Sequence, residues 1–136
     1  MRPQALEYLR GSDHIVHAGD IGDPGILEAL RQLAPVTAVR GNNDRGRWAR
    51  ALPLVANLEI GGVAIHVLHD LAGLKPKHGG RVVVSGHSHK PVVQERDGVL
   101  YVNPGSAGPR RFTLPIAAGE LRISGATVRA RIRELG

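Results

Sequence analysis

The stretch Val84-Ser-Gly-His-Ser-His-Lys-Pro91 ends an apolar run with two histidines, His87 and His89, that lie two residues apart. Imidazole is the commonest metal ligand among side chains, and Gly86 permits a sharp turn that lets both rings face one point. A His-x-His pair also occurs on ordinary strand faces, so the pair alone favours a solvated or core location over a metal site. Polar residues that follow the other predicted strands reverse this preference.

Apolar runs separated by turn residues predict an α/β chain. Pro3 opens a predicted helix, and Asp23 caps a second helix that has Pro24 at its first position. Gly61-Gly62 and Asp97-Gly98 are typical of hairpin turns. Strands are predicted over residues 14–18, 36–40, 55–60, 63–68, 82–85, 92–96, 99–102, 116–123 and 126–132. Helices and strands therefore alternate early in the chain, and hairpins follow.

Each of four short polar motifs directly follows a predicted strand. The motifs are Gly19-Asp20, Gly41-Asn-Asn-Asp44, His69-Asp70 and Gly86-His-Ser-His89. Because the functional crevice of an open α/β sheet lies beyond the carboxyl ends of its strands, we expect the motifs to gather at one edge. This edge would hold carboxylate, amide and imidazole ligands without sulfur, a set that suits manganese, iron or zinc. The expected ligands are Asp20, Asn42, His69, His87 and His89.

Length and composition narrow the class of protein. The 136 residues, of which 42% are hydrophobic, fit one domain spanning 1–136. The chain has no cysteine, which excludes disulfides, thiolate metal sites and a cysteine nucleophile. No apolar run reaches the roughly 18 residues that a membrane span needs, so we expect no membrane partner and a cytoplasmic location.

The net charge of +6 comes mainly from arginine. Near the end of the chain, Arg129, Arg131 and Arg133 alternate with apolar residues, which is the pattern of a strand with one solvated face. We favour a charged outer face here over a nucleic-acid surface, because the aromatic residues that could stack on bases make up only 3% of the chain. A nucleic-acid partner would reveal itself by a steep loss of affinity with salt.

The ordered set of polar motifs resembles that of the calcineurin-like metallophosphoesterase superfamily. Lys90-Pro91 and Asn103-Pro-Gly-Ser106 narrow the resemblance to the small bacterial phosphodiesterases of that superfamily. The resemblance implies an α/β fold, a layered β-sandwich flanked by helices. It also implies divalent-metal-dependent hydrolysis of a small phosphodiester substrate by a metal-activated hydroxide.

The resemblance assigns a role to each polar side chain at the predicted edge. Asp20 would bridge two metal ions, and His89 would reach the first of them. Asn42, His69 and His87 would complete the shell of the second ion. Mn²⁺ is the ion we expect first, with Zn²⁺, Fe²⁺, Ni²⁺ and Mg²⁺ as alternatives.

Two positions in the motifs differ from the family pattern. Asn43 and Asp44 are the residues assigned to catalysis, but many family members have a histidine at the position of Asn43. Since an amide cannot act as a general acid, we expect hydrolysis to favour substrates with good leaving groups. Asp70 stands where a glycine usually follows the histidine.

The motif that opens family members, Asp-x-His-Gly at the end of a strand, is not found ahead of the first predicted helix. We therefore expect a shortened form of a two-metal enzyme that lacks its first strand, binds one ion and has low or no activity. A vacant strand position would invite pairing with another chain, so a homo-oligomer is expected. The alternative is a non-catalytic metal-binding or protein-interaction scaffold of the same fold, such as the retromer subunit that shares it.

Overall fold

The computed structural model describes residues 3–42, 44–88, 90–105, 117–125 and 127–134. Within these ranges, none of the helices has the length and apolar character that crossing a membrane requires. The elements in chain order are α1 (Pro3–Leu9), β1 (Ile15–His17), α2 (Pro24–Arg31), β2 (Val36–Ala38), α3 (Arg47–Arg50), β3 (Val55–Ile60), β4 (Val63–Leu68), a 3₁₀ helix (Leu71–Gly73), β5 (Val82–Val84), β6 (Val92–Arg96), β7 (Val99–Asn103), β8 (Ala117–Ser124) and β9 (Thr127–Glu134).

A five-stranded mixed sheet forms the centre of the fold, in the order β3-β4-β5-β7-β6. Its three inner strands run parallel to one another, while β3 and β6 are antiparallel edges joined to the sheet by hairpins. A separate parallel pair, β1 and β2, and the antiparallel hairpin β8–β9 complete the strands. Because the inner strands share one direction, the loops after β4, β5 and β7 leave the same edge of the sheet.

The main hydrophobic core lies between these layers. Residues at alternate positions of β4, namely Val63, Ile65 and Val67, point to the same face and are buried. The β1–β2 pair and the β8–β9 hairpin pack their own apolar side chains against this face. A second cluster packs α1 and α2 against β1. This mixed α/β arrangement, with strands in layers and few helices, confirms the predicted fold class.

The two predicted hairpin turns are present, and each reverses the chain in two residues. Gly61 and Gly62 have φ values of 56° and 81°, and Asp97 and Gly98 have φ values of 52° and 79°. Two central residues with positive φ match the right-handed twist of the flanking strands, which is why glycine and aspartate are favoured there. The strands on either side, 55–60 and 63–68, have the predicted bounds.

The helices agree with the sequence at α2 and differ from it at two short elements. The Asp23 side chain accepts a hydrogen bond from the Gly25 N–H at 2.7 Å, and α2 begins at Pro24 as predicted. The sequence predicts no regular element at α3 or at the 3₁₀ helix, and the structure has one turn of helix in each. A single turn is too short to show the periodicity on which a helix prediction depends.

The strand β9 has the predicted charged outer face. Its arginines are exposed, while the residues between them are partly buried against the core. Glu120, on the neighbouring strand, pairs with Arg122 at 3.5 Å and with Arg131 at 3.4 Å. Ion pairs this exposed contribute little to stability.

Candidate metal centre

Four of the predicted ligands meet beyond the carboxyl ends of the strands. Asp20, Asn42, His69 and His87 follow β1, β2, β4 and β5 in turn. One ligand atom from each of Asp20, His69 and His87 lies within 4.8 Å of the others. The topology therefore brings together residues that are separated by up to 67 positions, as the placement of the polar motifs predicts.

His69 lies at the centre of this group and is buried, with 7% of its surface exposed. Its Nδ1 lies 2.7 Å from the carbonyl oxygen of Ala18. Because a carbonyl only accepts, Nδ1 carries the proton, and the Nε2 of the neutral ring presents a lone pair. That Nε2 lies 2.8 Å from Asn42 Oδ1 and 3.3 Å from Asp20 Oδ2.

His87 lies at the open side of the same group. Its Nδ1 is 3.2 Å from Asn42 Oδ1 and 3.3 Å from His69 Nε2. The two imidazole rings stand nearly perpendicular, at 83°, with their centroids 5.1 Å apart. The ring of His87 is half-exposed, so it borders the path from solvent to the buried ligands.

The chemistry of these atoms fits a divalent ion. Two imidazole nitrogens, a carboxylate oxygen and an amide oxygen direct lone pairs toward one region. A cation placed between these atoms would bind all four at once. Nitrogen and oxygen ligands without sulfur suit manganese, iron or zinc.

Glycines allow the loops that carry these ligands to approach one another. A Cβ at Gly19 would lie 2.7 Å from His69 Nδ1, and one at Gly41 would overlap the backbone and carboxylate of Asp20. Gly19 also has a φ of 100°, which side chains of L-residues disfavour. The glycines in the polar motifs are therefore part of the site, because they leave room for its ligands.

Asp44, one of the two predicted catalytic residues, connects two of the loops. It is buried, and its Oδ1 and Oδ2 accept hydrogen bonds from the N–H groups of Gly22 and Gly41, each at 2.8 Å. The bond from Gly22 holds the loop after β1 against the loop after β2, and the bond from Gly41 closes a turn within the second loop. The other predicted catalytic residue, Asn43, and the predicted ligand His89 lie outside the described residues.

Asn103 holds the loop of His87 in place. It is not among the site residues predicted from the sequence. Its Nδ2 donates to the Gly86 carbonyl at 2.9 Å and to Ser88 Oγ at 3.1 Å, while its Oδ1 accepts from the Gly105 N–H. The signal in the sequence is a polar residue at the end of β7, which is the parallel neighbour of β5.

His17 is a second residue that the site prediction omits. It ends β1, and its Nδ1 accepts a hydrogen bond from the Gly19 N–H at 3.2 Å. Burial lowers the pKa of His17 to about 4, an effect that nearby Asp44 and Asp20 partly oppose and that His69 reinforces. The neutral ring of His17 therefore accepts a hydrogen bond at the start of the loop that carries Asp20.

The lowered pKa of His17 predicts an acid-sensitive fold. The folded pKa of about 4 lies below the ordinary value of 6.5, so the unfolded chain binds the proton first as the pH falls. Stability should be intact above pH 6.5 and fall by about 2 to 3 kcal/mol between pH 6.5 and 4. Urea unfolding in EDTA at several pH values measures this. His17→Asn retains an acceptor for Gly19 and should flatten the dependence, and an unchanged slope in that variant would contradict the assignment.

Comparison with known proteins agrees with the fold. The family model of the calcineurin-like phosphoesterase superfamily domain matches residues 1–125. A probable metallophosphoesterase of Methanothermobacter thermautotrophicus is 34% identical over 145 residues, which cover 98% of this chain and 83% of the relative.

Two solved structures show the same architecture at lower identity. The zinc complex of Vps29 from Entamoeba histolytica has a TM-score of 0.78 and 22% identity, covering 100% of this chain and 91% of that one. An archaeal phosphodiesterase has a TM-score of 0.76 and 24% identity, covering 96% of this chain and 90% of that one. At these identities the likeness supports the fold alone. The match of the family model to residues 1–125 and the 34% identity to the relative show that the chain belongs to the calcineurin-like phosphoesterase superfamily.

Proposed function

We propose that this protein hydrolyses phosphodiesters with the help of divalent metal ions, of which Mn²⁺ is the first we expect. The observation that carries the proposal is the convergence of lone pairs from Asp20, Asn42, His69 and His87. Membership of the superfamily and the likeness to an archaeal phosphodiesterase support it. The substrate class is a small molecule with a phosphodiester bond.

A divalent ion bound in this site would activate water and polarise a phosphoryl oxygen. The ligands leave much of its charge uncompensated, since Asp20 is the only carboxylate among the four and the other three are neutral when they bind. The remaining positive charge would attract an anionic phosphodiester. His69 is oriented for this role by the Ala18 carbonyl, which leaves its Nε2 free to bind.

Two further roles in the proposal belong to residues outside the described ranges. His89 would bind the first metal ion together with Asp20, and Asn43 would contact the phosphoryl group without donating a proton to the leaving group. We therefore propose that diesters of acidic alcohols, such as nitrophenol, are better substrates than alkyl diesters.

The metal ligands are tested by His87→Ala. Removing this imidazole should weaken Mn²⁺ binding about tenfold or more, because the variant loses one of the ligands and opens the site to water. Isothermal titration with MnCl₂ measures the change. His78→Ala is the matched control, since His78 contacts His66 and Gly80 away from the site, and its affinity should equal that of the unsubstituted protein. Equal affinities in the two variants would remove His87 from the ligand set.

The second candidate function is a protein-interaction scaffold. The edge strand β6 is exposed along its whole length and presents Val92 and Val93, which are 37% and 43% exposed. An exposed apolar edge is suited to contact with another chain. Absence of any turnover at saturating Mn²⁺, with the metal bound, would favour this candidate over the phosphodiesterase.

A further inference from the structure

We propose that Asp70 is a positioning residue that orients His87 and fixes its tautomer for metal binding. The inference rests on the proposed function, because it assigns a supporting group to the proposed metal site.

The Asp70 carboxylate is held between two partners. Its Oδ1 accepts a hydrogen bond from the Ala72 N–H at 3.0 Å, which caps the 3₁₀ helix. Its Oδ2 lies 3.8 Å from His87 Nε2, within ion-pair distance. Asp70 also directly follows His69, so the same turn of chain places one ligand and the group that orients another.

Hydrogen bonds constrain the backbone at His87. The orientation of its side chain depends on contacts with neighbouring residues. His87 has a φ of 67°, and the Ser88 N–H donates to the Gly86 carbonyl across it at 2.8 Å. Gly86 in turn donates to the His69 carbonyl at 2.9 Å. A non-glycine residue at positive φ stores strain, which is typical of a functional position. The ring is half-exposed and gains orientation from contacts at its two nitrogens.

The two ring nitrogens of His87 face different groups. Nδ1 faces Asn42 Oδ1 and His69 Nε2, while Nε2 faces the Asp70 carboxylate. When no ion is bound, Asn42 Oδ1 accepts a hydrogen bond from a proton on Nδ1, whereas the Asp70 carboxylate, which also only accepts, favours the tautomer with the proton on Nε2. The lone pair of His87 is then on Nδ1, the nitrogen that faces the other ligands. A carboxylate behind a metal-binding imidazole is a common way to set the tautomer and to raise the basicity of the ligand.

Asp70→Asn and Asp70→Ser separate this role from the helix cap. Asparagine keeps the cap to Ala72 but turns an NH₂ group toward His87 Nε2, which favours the wrong tautomer with the proton on Nδ1. We expect about tenfold weaker Mn²⁺ binding in Asp70→Asn. Serine can also cap the helix, but it has no second polar atom to replace Oδ2 beside His87, so a loss of only about threefold is expected, as for an exposed ion pair. If Asp70 served only to cap the 3₁₀ helix, both variants would bind Mn²⁺ with the affinity of the unsubstituted protein.

Nitrogen NMR of the His87 ring in the metal-free protein gives a readout independent of metal. The fraction of His87 rings with the proton on Nε2 should be larger in the unsubstituted protein than in Asp70→Asn, where the population shifts toward Nδ1. If affinity and tautomer are the same in all three proteins, the proposal is overturned. If the tautomer responds as expected while no protein binds Mn²⁺, the pairing of Asp70 with His87 is supported and the proposed function fails.

Discussion

Asp20→Asn is expected to lower the hydrolysis of an activated aryl phosphodiester by about 1,000-fold at saturating Mn²⁺. This loss corresponds to about 4 kcal/mol at 1.36 kcal/mol per tenfold. The physical reason is charge, because Asp20 supplies the carboxylate among the four gathered ligands and its Oδ2 lies 3.3 Å from His69 Nε2. Asparagine has nearly the same shape and also tolerates the positive φ of 55° found at this position. The fold should therefore survive while the site loses its negative ligand.

Asp23→Asn is the matched control for this experiment. Asp23 lies in the same loop, but its side chain caps α2 through the Gly25 N–H, and asparagine is an equally good cap. Its turnover should match that of the unsubstituted protein, and circular dichroism should show both variants folded. Turnover in Asp20→Asn as high as in the control would place the chemistry elsewhere or show that the measured activity belongs to a contaminant.

The individual strands of the central sheet could be predicted from the sequence, because the signals for a strand and for a turn are local. Alternating apolar residues give the faces of β4, and paired residues with positive φ give the turns at Gly61-Gly62 and Asp97-Gly98. The same local pattern does not state which strands pair. The separation of β1 and β2 from the five-stranded sheet depends on packing between residues that are distant in sequence. Ala18, Val39 and Val67, for example, belong to one hydrophobic cluster.

The site could be predicted in part for the same reason. Ligands that directly follow strands are recognisable in the sequence, and the structure gathers Asp20, Asn42, His69 and His87. The groups that hold them are found only in three dimensions. Asn103 reaches the Gly86 loop across 17 positions of sequence, a contact that depends on the parallel pairing of β5 with β7.

Gly41→Ala should be the most disruptive glycine-to-alanine change among the glycines whose surroundings the structure describes. The added Cβ would overlap the backbone nitrogen of Asp20 and lie 2.9 Å from its Cα. Backbone atoms cannot move aside as a flexible side chain can, so the loops after β1 and β2 would have to separate. That movement would also break the bond from the Gly22 N–H to Asp44 Oδ1, which joins the two loops. We expect a loss of about 4 kcal/mol in the free energy of unfolding, above the usual range for overpacking.

Gly73→Ala tests whether the Gly41 effect comes from the collision. No atom lies within 4 Å of a Cβ at Gly73, and its φ is not positive, so this change should be neutral or slightly stabilising. Gly41 likewise has no positive φ, which leaves the collision with Asp20 as the difference between the two sites. Urea unfolding and Mn²⁺ titration of both variants measure the consequences. Because the collision involves the residue that carries the charged ligand, Gly41→Ala should lose metal binding together with stability. A stable Gly41→Ala protein with full Mn²⁺ affinity would show that the two loops do not meet as closely as this packing requires.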